Sequence, residues 1–199
     1  MGRVTANCGI KDGVVLKNGE TVFGNGVMGT GASSGRQDAT GAKAAMGEFL
    51  LALYQYLRLN YPRFYKMDAL SKLGWLAVEV LLKDSFKAED YRPEQVGLVL
   101  ANANSSLDTD IKYFETVKEI ASPSLFVYTL PSIMIGEIGI RNNFKGESAF
   151  FVSDRSDADF MEQYVRRLMD ENRFNACIYG WVDLLGEEGQ AKLFLMENK

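Results

Sequence analysis

Six consecutive apolar residues, Val96-Gly97-Leu98-Val99-Leu100-Ala101, constrain this chain more than any other stretch. A strand with one wet face alternates apolar and polar side chains, so an unbroken run is a strand covered on both faces. Such strands belong to parallel sheets with helices on either side. Two further apolar runs, Ala149–Val152 and Ala176–Val182, repeat the pattern. Between the runs the period changes to that of helices. Ala45, Phe49, Leu53, Tyr56 and Leu57 form a stripe in a helix expected over Ala42–Asn60, before Pro62. Leu70, Leu73, Ala77, Val80 and Leu81 do the same over Asp68–Asp84.

Further helices are expected over Leu107–Ile120, from Pro131 to Asn142, and over Ser156–Glu171. Asn18-Gly19 between β-prone runs signals a hairpin, because a type I′ turn needs positive φ at both central residues. Ala191–Met196 follows the turn Gly186–Gln190 too closely for a crossover, so it runs antiparallel to Ala176–Val182. The expected fold is α/β: one domain over residues 1–199, three layers α/β/α, with a mixed five-stranded sheet. In the helix over Ser156–Glu171, Glu162, Arg166 and Arg167 alternate with Met161, Val165 and Leu168. That polar face should meet water, which favours a self-contained three-layer domain over half of a thicker sandwich.

At 199 residues and 47% hydrophobic content the chain can bury a sizeable core. A net charge of −4 without a basic cluster argues against a nucleic-acid partner. The most apolar stretch, Leu125–Ile140, is broken by Pro131, Gly136 and Glu137, so no membrane span is expected. Met1–Thr5 lacks the apolar run of a signal peptide, and a cytoplasmic location is expected. There is no histidine, which removes histidine bases, Ser-His-Asp triads and most zinc sites; no cofactor or metal is expected. Cys8 and Cys177 read as buried thiols without a disulfide.

Three segments invite a functional reading. The glycine-rich stretch Gly24–Gly41 lacks the strand and the Gly-Lys-Ser/Thr ending of a phosphate loop, and reads as a plain loop. Asp108 and Asp110 lack the spacing of a calcium loop; helix capping by Ser106 or Asp108 is the simpler assignment. The junction Ser153-Asp154-Arg155-Ser156 is the site of interest, because a strand-to-helix turn gathers N-terminal amides and the positive end of the helix dipole. Ser153 or Ser156 could serve there as a nucleophile, but no histidine can take the proton. Capping by Asp154 or Ser156, with Asp157 and Asp159 in the first turn, is the alternative.

The order of Lys66–Gly74, Val96–Val99, Ser122-Pro123, Leu130-Pro131, Gly136, Ile140 and Lys145-Gly146 resembles the N-terminal half of the β-ketoacyl synthases, which are thiolase-like condensing enzymes. The resemblance is to the short branch that lacks the C-terminal half. It implies one half of a thiolase-like fold, and an acyl-accepting cysteine at the junction, whose position falls on Arg155. Arginine cannot carry a thioester, so the resemblance implies a catalytically degenerate protein. Its expected partners are an active synthase or an acyl carrier protein in fatty-acid-like or aryl-polyene biosynthesis. It also implies homodimerisation through the 149–152 strand. The alternative is an acyl-chain or small-molecule binding module, with a vestigial pocket at Phe126, Met134 and Phe151 beside Ser153, Asp154, Arg155 and Ser156. Residual chemistry at Ser153 or Asp154 is a third possibility.

Overall fold

The computed structural model of the protein describes residues 2–24 and 45–198; the Gly24–Gly41 loop therefore falls outside them from residue 25 on. Among the described residues seven strands form one sheet: β1 (Arg3–Lys11), β2 (Val14–Lys17), β3 (Glu20–Phe23), β4 (Val96–Asn102), β5 (Ser148–Val152), β6 (Ala176–Leu185) and β7 (Glu188–Glu197). Their order across the sheet is β3-β2-β1-β7-β6-β4-β5. β4 is buried at every position and runs parallel to both β5 and β6, as its uniform apolarity requires. The other pairs are antiparallel.

The sheet is two strands wider than expected. Arg3–Lys11 alternates exposed Arg3, Thr5, Asn7 and Lys11 with buried Ala6, Cys8 and Ile10. This is the period-two signature of a half-covered strand, and it inserts between the hairpin and β7.

Helices lie on both faces, giving the three layers expected. On one face α1 (Met46–Tyr56), α2 (Ala69–Leu82) and α5 (Ser132–Asn142) enclose the larger core, which includes Leu53, Leu73, Leu76 and Ile138 above Ile10, Leu100, Leu193 and Leu195. α2 is the centre of that layer; ten of its fourteen residues are buried. On the other face α6 (Ala158–Asp170) sets Met161, Val165, Leu168 and Met169 on Val99, Ala101, Tyr179 and Trp181. Its polar side meets water: the Arg167 side chain is 79% exposed, and Arg166 pairs with Glu162 at 2.7 Å within the same helix. No second sheet covers that side among the described residues. α3 (Leu107–Val117) and the single turn α4 (Pro123–Phe126) are the remaining α-helices among the described residues.

Two boundaries differ from expectation. α1 ends at Tyr56, where Arg58 takes a positive φ, and Pro62 opens a separate 3-10 turn rather than stopping the helix. β6 and β7 meet through Gly186 and Glu187 alone, with Gly186 at φ +59° as a two-residue hairpin requires.

Candidate functional site

Ligands of open α/β sheets collect outside the carboxyl ends of the parallel strands. Here those ends are Asn102, Val152 and the Asp183 region of β6. A polar collar fixes them. Asn102 is fully buried and clasps the loop that follows it, donating to the Ser105 carbonyl at 2.8 Å and accepting the Ser105 amide at 2.9 Å. Its own carbonyl accepts the Ser153 amide at 3.0 Å, which joins the exits of β4 and β5. Asp183 stands alone as a charge within the apolar strand β6. It accepts the amides of Ala103 and Asn104 at 3.2 and 3.1 Å, and the Asn104 side chain at 2.9 Å. With its lone pairs so occupied, this carboxylate builds the loop.

Asp108 and Asp110 each have protein partners, and neither caps α3. Asp108 is buried, accepts the Gly186 amide at 3.0 Å and pairs with Lys112 at 2.6 Å, so it ties α3 to the β6–β7 turn. Ser106 occupies the cap position without bonding a helix amide; its hydroxyl goes to the Thr129 carbonyl at 2.9 Å and to Asp110 at 3.1 Å. Thr109 donates to Asp68 at 2.7 Å, and Asp68 caps α2 through the Ser71 amide at 2.9 Å. Among the described residues no cluster of three metal-binding side chains exists.

The junction after β5 lies in the open. Ser153, Asp154, Arg155 and Ser156 are all exposed, and the Ser153 hydroxyl donates to the Arg155 carbonyl at 2.9 Å. The helix entrance comes later than expected. Asp157, rather than Asp154 or Ser156, is the N-cap, and its carboxylate accepts the Phe160 amide at 2.8 Å. Arg155 therefore precedes the cap by two residues, outside the first turn where free amides converge. The Asp157 carboxylate already occupies that amide cluster, and the Ser153 hydroxyl gives its proton to a backbone carbonyl rather than to a base.

The three apolar residues proposed for a pocket occupy three environments. Met134 is buried in the larger core, above Gly74. Phe151 packs edge-on to Phe160 and Tyr164 on the opposite face of the sheet. Phe126 is 60% exposed and rests on Tyr113. Cys8 and Cys177 are both buried and free. Burial pushes the Cys8 thiol up to about 12 and Cys177 well above its ordinary range, so neither is a nucleophile at neutral pH.

A mixed sheet with this order, three helices on one face and one polar-backed helix following the fifth strand, is the thiolase-like β-ketoacyl-synthase fold. Solved structures that share it include ketosynthases and a ketosynthase/chain length factor. One is the ishigamide ketosynthase/chain length factor, at a TM-score of 0.63 and 17% identity over 98% of this chain and 62% of that one. Another is AntDE:AntF, a type II polyketide acyl carrier protein in complex with its ketosynthase bound to the hexaketide, at 0.62 and 16% over 98% and 62%. A third is a β-ketoacyl synthase from Burkholderia phymatum, at 0.60 and 11% over 100% and 59%. The chain thus spans about three fifths of the length of these structures. No protein-family model and no curated protein matches the sequence.

Asn102 and Asp183 escape a motif search because each is a single residue. The signal for Asp183 is a carboxylate inside a strand that is otherwise apolar from Ala176 to Leu185.

Proposed function

We propose that this protein is a catalytically silent ketosynthase-like subunit that pairs with an active ketosynthase and its acyl carrier protein in fatty-acid-like or aryl-polyene biosynthesis. The observation that carries the reading is the β5–α6 junction: the ketosynthase fold is present, while the position expected for the nucleophile is an exposed arginine ahead of an aspartate cap. The similar structures include a ketosynthase/chain length factor and a ketosynthase with a carrier protein, which supports a partner of that kind.

The surface supports the same reading. Among the described residues β5 is the last strand of the sheet, with no strand beside one edge of its backbone, and Val152 at its end is 57% exposed. Pairing of this edge with the matching strand of a ketosynthase, or with a second copy of the chain, would extend the sheet across the interface.

Native mass spectrometry of the chain co-expressed with the ketosynthase and carrier protein of its pathway tests the proposal. A stable complex with either is the expected result; absence of association with both overturns it. Val152→Lys places a charge at the edge and should weaken the complex at least tenfold, about 1.4 kcal/mol, while leaving the fold intact. A reaction by the isolated chain that Ser153→Ala abolishes would overturn the silent assignment.

A further inference from the structure

Among the described residues α6 covers only part of its face of the sheet. Cross-strand register places Leu16, Gly9, Lys192 and Trp181 in one row across β2, β1, β7 and β6, with Asn7, Phe194 and Tyr179 in the next. α6 closes over Tyr179, Trp181 and β4. Over β1 and β7 the row lies in a half-open trough of about 320 Å³. Gly9 is its floor: a Cβ built there meets nothing within 4 Å. Glycine inside a strand forgoes packing, and it marks places where something approaches the backbone closely.

The trough has a defined chemistry. Val14, Leu16, Trp181 and Phe194 give it apolar walls. Lys11 and Lys192 are diagonal neighbours on adjacent strands, a spacing of about 7–8 Å for such pairs. No carboxylate lines it among the described residues. Trp181 is 93% buried as a residue, 7% being exposed, yet its indole N–H has no acceptor. Two ammonium groups beside apolar walls call for a ligand that brings an anion and an alkyl chain together. The volume lies at the lower end of the roughly 300–1,000 Å³ typical of small-molecule sites.

We propose that this trough binds an amphiphilic carboxylate, its alkyl chain lying over Gly9 and its headgroup between Lys11 and Lys192. β1 and β2 lie four and five strands away from β5 and no residue of β5 lines the trough, so the site is independent of the interface in the proposed function, and either reading can fail without the other.

Titration of the full chain with decanoate, kept below its micelle-forming concentration and followed by tryptophan emission, is the test. Trp75 is buried in the larger core, which leaves Trp181 to report the trough. A saturable change is expected with decanoate, with binding at least tenfold weaker for decanol and for acetate. Lys11→Ala combined with Lys192→Ala should weaken decanoate at least tenfold. Gly9→Leu should abolish the change while the circular dichroism spectrum is retained. Decanol binding as tightly as decanoate, or no effect of the double lysine variant, overturns the proposal; so does a folded Gly9→Leu that titrates like the parent.

Discussion

At the residue scale the tightest constraint is Gly180, in the middle of β6. It sits at φ +144°, a conformation side chains rarely adopt, and a Cβ there would lie 2.1 Å from the Lys192 carbonyl oxygen. The obstacle is backbone on the paired strand, so no rotamer change relieves it. Gly180→Ala should cost about 3 kcal/mol or more, read as a lower urea midpoint. Gly9→Ala, facing open space, should be neutral or mildly stabilising in the same measurement. The two thiols set a pH limit. Burial raises Cys8 from 9.0 to about 12, so the folded chain favours its protonated form. The stability this confers is complete below pH 9 and is lost as pH climbs toward 12, by about 1.4 kcal/mol per pH unit for one such group. Cys8→Ala should make the pH dependence of unfolding shallower by that one group's share, Cys177 keeping its own. Equal slopes in parent and variant would show that the thiol stays protonated in both states.

At the element scale α6 depends on its cap. Asp157→Ala should cost about 1 kcal/mol of stability and Asp154→Ala almost nothing, because only the first carboxylate holds a helix amide. Equal losses on thermal melting would place the cap elsewhere. The sequence marked this helix by its alternation of Met161, Val165 and Leu168 with charge, and marked β4 by its unbroken apolarity. Periodicity reads faces well because burial repeats with the element's own turn. It reads ends poorly: Asp154, Ser156 and Asp157 are all good caps by composition, and φ at one residue decides among them. β1 was legible in principle, since Arg3–Lys11 alternates cleanly. The trough was not, because Gly9, Lys192 and Trp181 lie far apart in sequence and meet only through register. Asp183 likewise acts on a loop some eighty residues earlier, and no local pattern encodes that pairing.

At the scale of the whole molecule, one helix carries apolar side chains on its outer side. Ile111, Phe114, Val117 and Ile120 follow helical spacing on and just beyond α3, and they are 52, 66, 49 and 86% exposed. Single exposed apolar residues are ordinary, but a run of this kind marks an association surface. Phe114→Lys with Ile120→Lys should leave unfolding stability within about 0.5 kcal/mol and lower the apparent mass in sedimentation. An unchanged mass would mean that the parent already remains single in solution. The sheet imposes a different demand on the molecule as it is made. β1 lies between β2 and β7, so residues 3–11 pair with residues 190–197. Until the latter exist, the first three strands have only one another, a short ribbon with no core beneath it. Contacts of such sequence separation are slow to form. A ribosome must therefore deliver residue 197 before residue 3 has its place, and until then the nascent chain carries a sheet with its middle missing.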